Sequence, residues 1–211
     1  MFCPNVASYV QQLDKLEEII DATNSRLLSD EPDSLFSENV NFFTKSYLIN
    51  LCAVAEACLK DVAMEVVRRM ALRLAGAKVS SNIIFWSIFK ESYDDKKHSK
   101  NGDFSLEIVE DDISKKLSAN PWKAIKLFKM VGCNIEDDAQ FTNVKNIIGT
   151  IVEKRNNIIH HNDEANDLSL SDVRQYVGYF RTYLNSIITS SMTALNVLNV
   201  ESSENPFLLR T

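Results

Sequence analysis

The chain of 211 residues combines 45% hydrophobic with 25% charged side chains, enough apolar material for the core of one globular protein. With only five glycines and four prolines, it has too few turn-forming residues for an all-β fold. It begins without a basic and apolar leader, and no apolar run approaches the roughly 20 residues that span a bilayer. We therefore expect a soluble, cytoplasmic protein that does not enter the membrane.

The net charge of −6 is concentrated at one end of the chain. Residues 1–39 hold eight acidic side chains against two basic ones, so residues 40–211 are balanced. Proteins that grip duplex nucleic acid have a broad positive field, which this distribution lacks. Any nucleic-acid chemistry must therefore rest on a local site.

The first half of the chain predicts two long helices. Apolar residues recur every three or four positions over 5–28, the pattern of an amphipathic helix. A second helical pattern runs without interruption from about 37 to 74, with Gly76 as the expected stop. Residues 48–59 within it are almost entirely apolar and carry Glu56 as their one charge. We expect this part to be a buried central helix.

The middle of the chain has weaker patterns. Residues 79–89 fit a helix or a strand, and the serines and asparagine near their start favour a helix. Residues 91–103 alternate small blocks of charge and resemble an exposed loop or hairpin tip, where His98 is expected to be solvated. Residues 104–120 indicate a weak helix or an extended segment. Helices, a hairpin and an ordered insertion all remain open for 91–120.

Three further helices are predicted in the last part. Pro121 suits the first turn of one helix, which Gly132 ends. The next covers about 139–162, and the last long helix covers 170–199 with Asp172 near its start.

One residue of the helix at 139–162 is out of place. Its core stripe advances by three and four through positions 144, 148, 151, 155, 158 and 162, and four of these six positions are aliphatic. Arg155 stands in the middle of that stripe. A buried guanidinium needs a partner or a purpose, because desolvating an unpaired charge is costly. Glu56 could supply the partner, and chemistry at the neighbouring polar residues could supply the purpose.

Those neighbours carry the chemistry of phosphate cleavage. Asn156 and His160 are four residues apart and share a helix face, with His161 beyond them. A histidine can move a proton to or from a ribose hydroxyl or a leaving oxygen, while Arg155 can hold phosphate oxygens. Together they suffice for metal-free RNA cleavage through the 2′-hydroxyl. The residues alone nevertheless favour a structural interpretation, in which Arg155 pairs with Glu56 and the histidines merely end the helix.

The segment 152–162 resembles the signature of the HEPN superfamily, an arginine followed by four to six residues and a histidine, here R-N-x-x-x-H. Residues 55–60, with the sequence AEACLK, are similar to a stretch in the long second helix of groups related to RiboL-PSP-HEPN proteins. The resemblance touches about 37–75 and 140–190. It implies an all-α fold, an up-and-down helical bundle with long second and last helices.

The domain organisation expected from this resemblance is simple. One HEPN-like helical domain covers 1–200, with an inserted loop or small subregion at 91–120, and a tail follows at 201–211. Members of the superfamily commonly form homodimers, whose Arg/His motifs meet in a cleft at the interface.

Many superfamily members are metal-independent endoribonucleases of toxin–antitoxin, phage-defence or RNA-processing systems. The resemblance therefore implies that Arg155 stabilises the phosphate, His160 transfers protons and Asn156 assists, without a metal or other cofactor. Glu56 and Lys60 match a looser pattern as supporting residues.

His161 is an additional imidazole with a surface or supporting role. The implied partners are RNA, either tRNA or mRNA, a second copy of the chain, and an antitoxin or other defence-system protein. Two alternatives remain, a non-catalytic HEPN-like module for dimerisation or protein interaction, and a helical domain that holds phosphate without cleaving it.

Overall fold

The computed structural model describes Cys3, residues 5–161 and residues 165–195. Within this part of the chain the secondary structure is helical, and the one β pairing is an isolated antiparallel bridge between Ser80 and Asp103. The prediction of an all-α fold is confirmed. No helix of the described residues is both long and apolar enough to cross a membrane.

The helices of the described residues follow one another as α1 (Val6–Leu27), α2 (Ser34–Glu38), α3 (Val40–Ala77), α4 (Ser81–Phe89), α5 (Asp95–His98), α6 (Glu110–Ser114), α7 (Pro121–Met130), α8 (Ala139–His161) and α9 (Leu170–Ala194). Short 3-10 turns lie at Lys90–Ser92 and Ile135–Asp137. The four long helices α1, α3, α8 and α9 pack together as a bundle, and α3 and α9 are the long second and last helices that were predicted.

Polar contacts show that α1 and α3 are antiparallel. Tyr9, near the start of α1, donates to the Asp61 carboxylate in the second half of α3 at 2.7 Å. Thr23, near the end of α1, meets the Tyr47 hydroxyl in the first half of α3 at 2.8 Å. The first two long helices therefore run up and down.

The other pair of long helices follows the same rule. Phe141 at the start of α8 stacks on Tyr183 in the second half of α9, with ring centroids 5.6 Å apart. Lys154 near the end of α8 pairs with Asp167, just before α9, at 2.5 Å. Helices α8 and α9 are therefore antiparallel, which completes an up-and-down bundle.

The central helix α3 is less completely buried than its composition predicts. Leu51, Cys52 and Val54 are buried as expected. Ala53, however, is exposed, and Glu56 is half-buried, because the described helices leave this side of α3 open as a groove. The prediction of an all-round buried helix is therefore wrong for one stripe of small and polar residues, and this stripe forms part of the site described below.

Two predicted helix limits are also wrong. The helical pattern near 37 begins instead as the separate helix α2, which Asp33 caps by accepting from the Leu35 N–H at 3.0 Å. Gly76 does not end α3, which continues to Ala77. The chain turns at Lys78, whose φ of 49° is in the left-handed region.

The segment at 91–120 contains the helices α5 and α6, which are separated by irregular chain. Of the alternatives left open, helices are therefore correct for part of the segment. His98 is half-buried rather than solvated, because its ring stacks on Phe89 with centroids 4.0 Å apart. Its Nδ1 accepts from the backbone N–H of Asp94 at 3.1 Å. The tail expected at 201–211 lies outside the described residues.

Candidate functional site

The unusual arginine lies on α8, in the stripe where its spacing places it. Ile148 and Ile151 are buried, Ile158 packs against the core, and the Arg155 side chain between them is 18% exposed. The structure thus confirms the predicted stripe as far as Ile158, with Arg155 among its aliphatic residues. Asn162, the last predicted member, lies outside the described residues.

The guanidinium of Arg155 joins α8 to the central helix α3. Its Nη2 donates to Oε2 of Glu56 at 3.2 Å, and its Nη1 donates to Oδ1 of Asn156 at 3.0 Å. Its Nε is buried and has no hydrogen-bond partner among the described residues. The Glu56 side chain is 40% exposed, so the ion pair is closed on the core side and open on the other.

Cys52 of α3 lies behind this pair. Burial raises the pKa of the Cys52 thiol to about 12, and the positive charge of Arg155 offsets only part of the shift. Because the reactive form of cysteine is the thiolate, Cys52 remains an unreactive thiol at neutral pH. It is a small, fully buried side chain of the core beside the guanidinium.

An open groove of about 340 Å³ lies in front of the arginine. The uncovered stripe of α3 forms its floor, and Ser114 and Leu117 line it from the segment at the end of α6. Lys60 stands in the same groove and donates to Oε1 of Glu110 at 2.6 Å. That hydrogen bond raises the pKa of Lys60, and the exposed carboxylate of Glu110 balances the charge of the ammonium.

The two histidines are at the exposed end of α8. His160 and His161 are in its last turn, both are exposed, and neither side chain hydrogen-bonds or ion-pairs with any described residue. Five residues at 3.6 per turn place His160 about 140° around the axis from Arg155 and about 7.5 Å along it. Arg155 therefore points to the groove while His160 points away from it.

The structure thus brings together three of the predicted site residues, Arg155, Asn156 and Glu56. Lys60 lines the same groove, whereas His160 and His161 are outside this hydrogen-bonded network.

Sequence reasoning missed Ser114, Leu117 and Cys52. Ser114 and Leu117 belong to a segment without clear periodicity, and their approach to α3 depends on tertiary folding. Cys52 sits four residues before Glu56, a spacing that puts both on one side of a helix and could have been noticed.

The sequence model of the RiboL-PSP-HEPN family matches residues 8–192. The chain belongs to the RiboL-PSP-HEPN family. The match runs from α1 to the last turn of α9, and so includes both the 55–60 stretch and the R-N-x-x-x-H segment through which the resemblance was first identified. No curated protein and no solved structure is significantly similar to the chain. HEPN domains are generally associated with ribonucleases, and the all-α bundle agrees with this family membership.

Proposed function

We propose that this RiboL-PSP-HEPN protein is a metal-independent endoribonuclease, and that its site forms between two copies of the chain. The observation that carries the proposal is the half-open pair of Arg155 and Glu56. A core position holds a guanidinium whose one carboxylate partner is 40% exposed beside an open groove. Membership of a family generally associated with ribonucleases supports the same function.

Arg155 suits a phosphate contact. Its two terminal nitrogens are held by Glu56 and Asn156, and a phosphate entering the groove can take over one of these hydrogen bonds. Charge-assisted, bidentate contacts between guanidinium and phosphate are among the stronger hydrogen bonds in proteins. Lys60 lines the same groove, and a phosphate can replace its exposed partner Glu110. Both cations would lower the energy of the charge that develops on phosphorus oxygens during cleavage.

The directions of Arg155 and His160 favour a site shared by two chains. Because the two side chains diverge by about 140° around α8, His160 is better placed for a phosphate that another copy holds. Around the axis of α8, Ile159 projects between the directions of Arg155 and His160, and it is an exposed aliphatic residue. An apolar side chain in that position is well suited to an interface core. We therefore assign Arg155 of one copy and His160 of the other to each site.

The chemical step needs only one proton carrier. The neutral imidazole of His160 takes the proton of the 2′-hydroxyl, the 2′-oxygen forms a bond to phosphorus, and the bond from phosphorus to the 5′-oxygen breaks. The imidazolium then returns the proton to the departing 5′-oxygen, which leaves a 2′,3′-cyclic phosphate and a 5′-hydroxyl. Arg155 stabilises the charged phosphate and Asn156 fixes the guanidinium. His161, one residue beyond, has a surface or supporting role.

The biological setting that we propose is the one typical of ribonucleases in this superfamily. We infer a cytoplasmic RNA substrate, either tRNA or mRNA, and an antitoxin or defence-system protein that restrains the activity, because unrestrained RNA cleavage is harmful to a cell. This setting rests on family resemblance and extends the proposal beyond the site itself.

The test is cleavage of total RNA by the purified protein in EDTA. The wild type is expected to cleave, and Arg155→Ala and His160→Ala are expected to abolish cleavage, whereas His161→Ala retains most of it. Products that end in a cyclic phosphate would establish attack by the 2′-hydroxyl. Cleavage that survives both Arg155→Ala and His160→Ala would remove this site from the mechanism.

A non-catalytic dimerisation or protein-interaction module is the competing function. The ion pair between Arg155 and Glu56 favours it, because the pair already satisfies part of the guanidinium without any substrate. This alternative predicts that no RNA is cleaved under any condition, with a stable homodimer in the wild type and in both variants.

A further inference from the structure

Helix α4 presents an apolar surface outside the site described above. Ile83, Trp86 and Ile88 are all exposed, with Trp86 at 62%, and Ser81 is the one residue of α4 that is buried. Clusters of large exposed apolar side chains are uncommon on soluble proteins and usually mark a binding surface. The surface formed by Ile83, Trp86 and Ile88 is called the α4 surface below.

The α4 surface is held in place from behind. Phe85 contacts Phe104 with ring centroids 6.0 Å apart, and Phe89 stacks on His98. Helix α4 belongs to an excursion of the chain from the bundle, residues 79–104. Two backbone hydrogen bonds close the base of this excursion: the Ser81 N–H donates to the Gly102 carbonyl at 3.0 Å, and the Phe104 N–H donates to the Val79 carbonyl at 2.7 Å. The inner rings thus orient α4 and leave its outer side chains free for a ligand.

Three lysines of the segment that contains α4 are available to an anion. Residues 78–103 hold five basic side chains against four acidic ones, a net charge of +1 in a chain whose other residues total −7. Of the five, Lys78, Lys90 and Lys96 have no ion-pair partner among the described residues. These ammonium groups can contact the phosphates of a polyanion, although the protein as a whole is acidic.

The same surface contains a cleft of about 610 Å³. It is lined by Ile83, Trp86, Ser87, Lys90 and Glu91, so apolar walls surround three groups that can form hydrogen bonds. Lys90 has a φ of 47°, a backbone conformation that costs a non-glycine residue free energy. Strained residues of this kind are concentrated at binding and catalytic sites.

We propose that this cleft binds an unpaired base of single-stranded RNA. The base stacks on the Trp86 indole, Ser87 and Glu91 hydrogen-bond to its edge, and Lys90 contacts the adjacent phosphate. Combined aromatic stacking and backbone neutralisation is how proteins bind single strands. A lipid surface fits less well, because Ser87 and Glu91 would lose their water without gaining partners.

This inference rests on the proposed ribonuclease function, since the bound strand would be its substrate. Ala77, where α3 ends and leads into the excursion, lies about 30 Å from Glu56 at 1.5 Å per residue of helix. The α4 cleft would therefore hold a substrate far from the bond that is cleaved. It would contribute to the binding of long strands but not of dinucleotides.

The experiment measures binding of a fluorescent oligouridylate to the full chain carrying His160→Ala, so that the RNA is not cleaved. Adding Trp86→Ala is expected to raise the dissociation constant about tenfold, the usual effect of losing one stacked base. Trp122→Ala is the matched control, because Trp122 is exposed as well but lies on α7 beneath the Lys145 ammonium. Equal affinities for the Trp86 and Trp122 variants would overturn the proposal.

Lys90→Gly separates binding from folding. Glycine adopts a positive φ at little cost, so this variant is expected to raise the melting temperature while it weakens oligouridylate binding several-fold. A variant that merely misfolds would lower both. Unchanged affinity in the Lys90→Gly protein would contradict the proposed phosphate contact.

A second readout uses Trp86 as the reporter. In a Trp122→Phe background, the fluorescence of Trp86 is expected to change on addition of oligouridylate and not of vesicles that contain phosphatidylglycerol. A response to vesicles alone would overturn the proposal in favour of a lipid surface.

Failure of this inference and failure of the ribonuclease function give different results. RNA cleavage that depends on Arg155 and His160, together with unchanged binding by Trp86→Ala, would reject the α4 cleft and retain the enzyme. Binding that depends on Trp86 in a protein that cleaves no RNA would reject the ribonuclease function and retain the α4 cleft as an RNA-binding site.

Discussion

Two arginines of nearly equal exposure hold different parts of the bundle together. Arg181 joins α9 to α1 and is 21% exposed, and it donates to both Asp14 and Glu17 at 2.8 Å. Arg155 joins α8 to α3 and is 18% exposed, and it has one carboxylate at 3.2 Å and a neutral amide. The carboxylates around Arg181 are 19% and 24% exposed, whereas Glu56 beside Arg155 is 40% exposed.

The difference separates a structural pair from one that can accept a ligand. At Arg181 both carboxylates are partly buried, and Glu17 also pairs with Arg174 at 3.1 Å, so the guanidinium is enclosed in an ion-pair network with no groove beside it among the described pockets. At Arg155 a single half-open carboxylate balances the charge, and an open groove with the ion pair of Lys60 and Glu110 lies next to it. Arginines of similar exposure therefore differ in their access to a ligand, and the variants below test that contrast.

The largest expected effect is on catalysis. Arg155→Ala should lower the rate of RNA cleavage by about 100- to 1,000-fold, as expected when a donor that stabilises transition-state charge is removed. Arg181→Ala removes a side chain of similar exposure and should change the rate less than about threefold. Cleavage of a labelled RNA under single-turnover conditions measures both. Similar losses in the two variants would mean that Arg155 acts only through folding.

A smaller effect is expected at the proposed interface. Ile159→Arg places a charge where an apolar contact between copies is proposed, so the protein should elute as a monomer in size-exclusion chromatography with light scattering. Cleavage at low protein concentration should fall about tenfold or more, because a few buried residues carry most of the binding energy of an interface and a charge among them is costly. A control on another surface, Leu72→Arg, should leave both properties unchanged. A dimer that persists in Ile159→Arg would place the interface elsewhere.

The smallest expected effect compares the two ion pairs by stability. Asp14→Asn combined with Glu17→Gln should lower the free energy of unfolding by about 2 kcal/mol, because the bonds from Arg181 to both residues and from Arg174 to Glu17 lose their charge assistance. Glu56→Gln should cost at most about 1 kcal/mol, since the pair is half-open and the amide still accepts a hydrogen bond. Urea denaturation monitored by circular dichroism measures both. A larger loss in Glu56→Gln would show that Arg155 serves the core.

The fold was largely predictable because four long segments have strong helical periodicity. α1, α8 and α9 begin close to where their patterns and capping residues place them. Gly76 was misleading, because a glycine costs an exposed helix only about 1 kcal/mol and does not end it. His98 became half-buried by stacking on Phe89, nine residues earlier, a contact that charge patterning and helical periodicity do not encode.

The site was predictable in part for a similar reason. A stripe of aliphatic residues identified Arg155 as unusual, and the one charge in an apolar stretch identified Glu56 as its partner, as the structure confirms. The groove was not predictable, because it depends on how the described helices pack around the Ala53 side of α3. The position of His160 relative to a second copy depends on an interface, and no pattern within one chain specifies it.

The central claim is that each site takes Arg155 from one copy and His160 from the other. Mixing inactive Arg155→Ala protein with inactive His160→Ala protein tests it directly, after dissociation and reassociation to form mixed dimers. Half of the dimers in an equal mixture contain both variants, and each of those holds one complete shared site, so about one quarter of wild-type activity should return. A mixture that remains as inactive as its two components would contradict a site shared between chains.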